Sequence, residues 1–215
     1  ERAASAALDT LAMVAGYRGQ HGRAQALSER SLDLRRSLGD RLLITSSTNT
    51  LGLAALRAGD LETAEHSLTE CLELARGLGE KTLVAAALCA LGEIALSRDL
   101  PEVAAERLLE ALAIYRELGD DRDRAECLHA LGGVAAARGR PLDAERLWGA
   151  AAVLRERPGA ALTPEENAVD RRFAPAVAGQ GDPETLARAR AEGRALDGDM
   201  LDSISRSLAE RPRRE

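Results

Sequence analysis

Aromatic side chains are almost missing from this chain. Its 215 residues include one Trp, one Phe and two Tyr, 2% in all. Single-stranded nucleic acid is held by stacking aromatics along a basic groove. Here the aromatics are scarce and the net charge is −6, from 29 basic and 35 acidic residues. Nonspecific binding to phosphate needs the opposite balance, so no direct nucleic-acid contact is expected. Lys81 is the single lysine, and arginine carries the remaining positive charge. Cysteine is sparse: Cys71, Cys89 and Cys127 cannot all pair, and no CxxC occurs. That usage points to a reducing, cytoplasmic compartment rather than a disulfide scaffold. No apolar run reaches membrane-spanning length and no basic-then-apolar leader opens the chain, so no membrane association is expected. The first residues, Glu-Arg rather than Met, read as part of something longer.

What the chain has in abundance is Ala and Leu, and they recur with a period of 40 residues. Leu11, Leu51, Leu91 and Leu131 stand at equal steps, as do Ala24, Ala64, Ala104 and Ala144. Leu8, Leu88 and Leu128 share a third register, with Thr48 in the second slot. Leu38-Gly39-Asp40, Leu78-Gly79-Glu80 and Leu118-Gly119-Asp120 mark the joints. A period of this size signals stacked structural units. Stacked helical pairs build long binding surfaces more readily than catalytic pockets.

Each unit reads as two helices. In the second, Asp40 caps a helix that begins at Arg41. Ile44, Thr48, Leu51 and Ala55 follow at helical spacing. Gly59 stops that helix and Asp60 caps the next, which carries Leu61, Ala64, Leu68, Leu72 and Leu74. It ends at Leu78-Gly79, where glycine can take the left-handed conformation. Pro101 and Pro141 lie one period apart and opposite Leu61; proline is tolerated in the first helical turn and disruptive later, so both mark helix starts. Helices of roughly 16–18 residues joined by short loops must be antiparallel neighbours.

Beyond Pro158-Gly159 the period fails. Thr163-Pro164-Glu165-Glu166 is a capping-box start for a helix to about Val177. Gly179-Gln180-Gly181 is a break, Asp182-Pro183 opens a helix to about Leu196, and Met200 to Leu208 forms a last one. The boundaries expected are repeats over about 1–39, 40–79, 80–119 and 120–157, then a helical cap and tail over 158–215. An open stack of repeats needs such a cap.

These residues resemble the tetratricopeptide repeat. Leu51-Gly52, Ala64, Leu68 and Cys71 fit its pattern. So do Leu91-Gly92, Ala104, Leu108 and Ala111, and Leu131-Gly132, Ala144, Trp148 and Ala151. The first unit, with Leu11-Ala12, Ala24, Ser28 and Ser31, matches less well. The family's period is stretched here, and its aromatic in the first helix is replaced by Ala15, Ala55, Ala95 and Ala135. The resemblance implies an all-α, right-handed superhelical solenoid of four helical hairpins with a C-terminal helical cap. The longer period, Tyr115-Arg116-Glu117-Leu118-Gly119-Asp120, and the run Gly149–Arg155 look like the C-terminal regions of actinobacterial LuxR-type, antibiotic-regulatory and signal-transduction ATPase regulators. That implies a non-enzymatic sensory or interaction domain inside a larger parent chain.

Catalytic and metal signatures fail on their spacing. Gly77-Leu78-Gly79-Glu80-Lys81-Thr82 lacks the Gly-Lys junction and leading strand of a phosphate loop. His21, His66 and His129 lie in separate units without HxxxH, so no convergent metal set arises and they read as surface or groove side chains. Acidic pairs such as Glu165-Glu166 sit at helix starts, where the helix dipole favours them. Cys71 reads as a small buried packing residue. Trp148 is expected to pack the last hairpin against the cap, and Arg188, Arg190 and Arg194 read as a solvated face or a docking surface. No enzyme activity, cofactor or metal is expected.

The candidate binding surface is the concave trough implied by the solenoid, lined by first helices. Its columns are Asp9, Asn49, Cys89 and His129; Met13, Leu53, Glu93 and Gly133; Tyr17, Arg57, Ser97 and Ala137; and Ser46, Ala86 and Glu126. A polar column beside Ala and Leu suits a peptide, a protein segment or a small effector. The alternative is a structural module that self-associates as a homodimer or docks on its own parent chain.

Overall fold

A computed structural model describes residues 2–156 and 162–210. Every regular element among them is helical. In chain order they are α1 (Arg2–Tyr17), α2 (His21–Leu38), α3 (Arg41–Ala58), α4 (Leu61–Leu78), α5 (Lys81–Ser97) and α6 (Pro101–Leu118). Then follow α7 (Asp121–Ala137), α8 (Pro141–Glu156), α9 (Pro164–Gln180), α10 (Pro183–Ala195) and α11 (Gly198–Ser207). The helix joint expected at Pro158-Gly159 falls outside the described residues.

The caps are where local chemistry puts them. Asp40 accepts from the Leu43 backbone N–H at 3.3 Å and Asp60 from Thr63 at 3.1 Å. Gly39, Gly59, Gly79 and Gly119 close their helices at φ of 71°, 82°, 73° and 72°. A side chain resists that left-handed geometry, and glycine takes it freely. Pro101 and Pro141 each occupy the first residue of their helix, as the sequence predicts. Thr163 and Glu166 complete the capping box of α9, at 3.2 and 2.8 Å.

Two differences appear in the C-terminal helices. Helix α9 passes Val177 and runs to Gln180. Pro175 lies inside it without ending it. Helix α11 begins at Gly198, because Asp197 accepts from the Met200 N–H at 2.9 Å and so caps it two residues early.

The chain divides into two compact units, 1–94 and 95–215. In the first, α1 packs on α2, α2 on α3 and α3 on α4. Its core holds Ala55, Ala64, Leu68 and Cys71 against Ala87, Ala90, Leu91 and Ile94 of α5. Small residues let the helices approach closely. A β carbon on Gly52 would lie 2.6 Å from Leu68 Cγ, so the leucine needs glycine opposite it.

In the second unit α6, α7 and α8 pack in sequence, α10 lies along α8, and α9 lies on α7. The repeat pairing recurs in larger form: a β carbon on Gly132 would lie 2.5 Å from Trp148 Cδ1. The Trp148 indole donates to the His129 carbonyl at 3.1 Å, which satisfies its buried N–H. Arg190 of α10 lies over the same ring at 5.7 Å, so Trp148 does join the last hairpin to the cap.

Candidate functional site

Helices α1, α2 and α3 line a half-open cavity of about 370 Å³. That lies within the usual size range of ligand sites, roughly 300–1,000 Å³. Its origin is a substitution in the repeat. Ser28 stands where the next units carry Leu68, Leu108 and Trp148, and Ala12 stands where they carry glycine. In the second and fourth units the large side chain fills the space over that glycine. Here a serine leaves it open, and both Ala12 and Ser28 line the resulting walls.

Behind the lining residue Asp9 stands Arg35. It is 7% exposed, pairs with Asp9 Oδ2, and donates to Leu43 O at 3.1 Å and to Ser47 Oγ at 2.7 Å. A guanidinium with several fixed acceptors is a rigid anchor. It holds one oxygen of Asp9. The other, Asp9 Oδ1, is shielded from water and has no hydrogen-bond partner; the same holds for His21 Nδ1 and Ser28 Oγ. All three residues line the cavity. Thr10 and Thr50 also line it, and each donates its hydroxyl proton to a carbonyl one turn back, Ala6 at 3.0 Å and Ser46 at 3.0 Å. With their protons so engaged, these hydroxyl oxygens can act only as acceptors. Ala24, Ala54, Met13 and Leu53 supply the apolar part.

Five residues expected from the trough columns meet at this cavity: Asp9, Met13, Ser46, Leu53 and Arg57. Asn49 is half-buried on α3 and its Oδ1 is unpartnered, but it does not line the cavity. Tyr17 ends α1, and its side chain lies outside those described. On α5, Cys89 is 6% exposed and Glu93 half-buried. Cys89 belongs to the core rather than to a trough. Sequence reasoning missed Ser28 because it followed first helices only; the signal was the serine in a leucine column.

Glu126 and His129 fall in the second unit, on α7. His129 is a correction. Expected on an open surface, it is 3% exposed because α9 lies over it. Its Nε2 is 2.9 Å from Asp170 Oδ1, misaligned for a full hydrogen bond. Burial works to raise the Asp170 carboxyl. The adjacent His129, with Arg190 and Arg155, outweighs that and holds it below the ordinary carboxylate range. A β carbon on Gly133, in the neighbouring column, would lie 2.8 Å from Val169 of α9.

The arginines of α10 also differ from a free solvated face. Arg190 reaches Glu145 at 2.5 Å and Arg194 reaches Glu156 at 2.8 Å, both on α8. Among the described residues no group of three His, Cys, Asp or Glu could hold a metal ion. No described helix is long and apolar enough to cross a membrane.

A tetratricopeptide-repeat family model matches residues 2–77. The cavity lies inside that stretch. No curated protein matches the chain. Among solved structures, the crystal structure of a kinesin light chain with nearly identical TPR-like repeats, from Podosopora anserina, aligns with a TM-score of 0.61. The alignment covers 97% of this chain and 96% of that one, at 17% identity. At that identity the likeness carries the fold. Every regular element among the described residues is helical, and the helical hairpins pack as in TPR-like repeats. Proteins of this fold are typically non-enzymatic scaffolds for protein–protein interaction.

Proposed function

We propose that the chain is a non-enzymatic scaffold that binds a peptide or protein segment across α1 and α3. We infer further that it serves as the sensory or interaction domain of a bacterial transcriptional regulator. The observation that carries the first part is the cavity of about 370 Å³, in whose walls three polar atoms lack partners. Buried polar groups are nearly always satisfied, so each exception calls for an explanation. A ligand that arrives with the site supplies one. The regulatory context rests on the sequence resemblance of the repeats and the closing segment. In such a domain the ligand shifts a conformational equilibrium by its differential affinity for the two states.

Selection of phage-displayed random dodecapeptides against the whole chain tests the binding surface. Peptides from the selection are expected to perturb the Ala12 and Ala54 methyl resonances and to lose binding when Leu53 becomes Glu. Selected peptides indifferent to Leu53→Glu would remove the site from this face. A helix-turn-helix or nucleotide-binding module in the same open reading frame would support the regulatory context; a parent with neither would end it.

A second reading is favoured by α1. Leu11 is 50% exposed and Val14 38%, one turn apart on the same helix. That face suits self-association or docking within a parent chain. Light scattering over a concentration series separates the two readings: a dimer lost on Leu11→Glu supports docking, and a constant monomer mass removes self-association.

A further inference from the structure

Resting on the reading of the α1–α3 face as a peptide site, we propose that its cavity receives an uncharged carboxamide, the side chain of a Gln or Asn in the bound peptide. Two of the three atoms that lack partners, those on Asp9 and Ser28, set the chemistry. Asp9 Oδ1 belongs to the carboxylate whose other oxygen pairs with Arg35, and a carboxylate oxygen accepts. Ser28 Oγ, 1% exposed as a residue, still has its proton to give. One fixed acceptor and one available donor match the N–H and C=O of a carboxamide. The Thr10 and Thr50 hydroxyl oxygens, whose protons already go to backbone carbonyls, can accept the second N–H.

Charge argues for the same group. The Asp9 carboxylate is neutralised from behind by Arg35, and Arg57 also lines the cavity. A lysine or arginine side chain would therefore enter a site without net negative charge. A glutamate would face the unpartnered Asp9 oxygen. An aliphatic side chain would fill the space among Met13, Ala24, Ala54 and Leu53 but leave the polar atoms unmatched. Those atoms lie just beneath the water-accessible wall, so engagement includes a rotation of the Asp9 or Ser28 side chain.

The repeat itself supplies the control. Ala12→Gly together with Ser28→Leu recreates the glycine–leucine pair that Gly52 and Leu68 form in the next hairpin. This variant closes the cavity in a packing the fold already uses. The probes are acetylated, amidated pentapeptides Ala-Leu-X-Leu-Ala with X as Gln, Asn, Glu, Lys or norleucine. They are titrated into the 15N- and methyl-labelled chain.

The Gln or Asn peptide is expected to bind at least about tenfold tighter than the other three. It should move the Ala12, Ala24 and Ala54 methyls. Ser28→Ala should cut that preference several-fold, and the double variant should abolish it. Equal or tighter binding with Glu, Lys or norleucine overturns the carboxamide assignment. A preference that survives in the double variant overturns it as well. If all five peptides move the same methyls equally, the assignment falls while the peptide surface stands. If none binds, the assignment falls, and the surface is then judged by its dependence on Leu53 in the phage selection.

Discussion

Gly193 of α10 crosses α8 so closely that a β carbon on it would overlap the carbonyl oxygen of Arg146. The contact is reciprocal: a β carbon on Gly149 of α8 would overlap the carbonyl oxygen of Arg190. Two glycines facing each other's backbones set the spacing of these helices. Arg190–Glu145 and Arg146–Glu192 flank the crossing on the surface. Backbone cannot move aside as a flexible side chain can. Gly193→Ala is therefore expected to destabilise the second unit by about 1–3 kcal/mol, the usual range for overpacking. Gly77→Ala is the contrast, because Gly77 has open space within α4. There the gain in helix propensity should stabilise the chain by about 0.5–1 kcal/mol. Urea unfolding followed by far-UV circular dichroism and by Trp148 fluorescence checks both. Equal effects from the two substitutions would disprove the crossing argument.

The helices were legible because their signals are local. Asp40, Asp60 and Asp120 act on N–H groups three residues away, and Gly39, Gly79 and Gly119 act on their own backbone. None of these depends on tertiary placement. Part of the candidate site was legible for a similar reason. Asp9 and Met13 share one face of α1, and Ser46, Leu53 and Arg57 come from α3 by repeat equivalence. Ser28 was not found, because its significance lies in what it fails to fill. The cover over His129 was illegible in principle from the repeat. Helix α9 has no counterpart in the periodic units, so no register predicts which face it takes.

Arg35 holds the cavity residue Asp9 from behind, and its loss should be felt beyond one ion pair. It serves Asp9, Leu43 O and Ser47 Oγ together while 7% exposed. Removing one partner of a buried pair typically costs about 3–5 kcal/mol. Asp9 is partly solvated here, so Arg35→Ala is expected to lose roughly 2–4 kcal/mol. Arg35→Lys should recover less than half of that, since one ammonium cannot span three fixed acceptors. Chemical denaturation reads both values. A loss under about 1 kcal/mol for Arg35→Ala would show the network to be dispensable.

Cys71 makes a prediction on the alkaline side. It is fully buried, and burial first, with Glu70 beside it, pushes its thiol from 9.0 up to about 12. The folded chain therefore holds this proton more tightly than the unfolded chain does. The resulting stabilisation is present in full below about pH 9 and is lost as pH rises towards about 12. Cys71→Ala, which copies Ala111 and Ala151 in the same column, should flatten that limb relative to the parent chain. Thermal melts between pH 8 and pH 11 measure the difference, given that linkage sets the slope. Parallel limbs in the two proteins would rule out Cys71 as the source. A thiol reagent gives an independent check: Cys71 should react only as the chain unfolds, since the thiolate is the reactive form.

Asp170 makes the opposite prediction on the acid side. Despite burial its carboxyl lies below the ordinary range, because His129, Arg190 and Arg155 favour the ionised form. A depressed carboxyl stabilises the fold above its unfolded value of about 3.9 and loses that contribution as pH falls through its folded value. Asp170→Asn keeps the shape and removes the charge beside His129. The variant should be less stable than the parent near neutral pH, and the gap should narrow as the parent's own carboxylate takes up its proton. Trp148, whose ring centroid lies 5.9 Å from that of His129, provides a fluorescence signal at the contact. Melts followed at that signal between pH 6 and pH 3 bracket the unfolded carboxyl value. A gap of constant size across the range would mean that the Asp170 charge does nothing for the seating of α9 on α7.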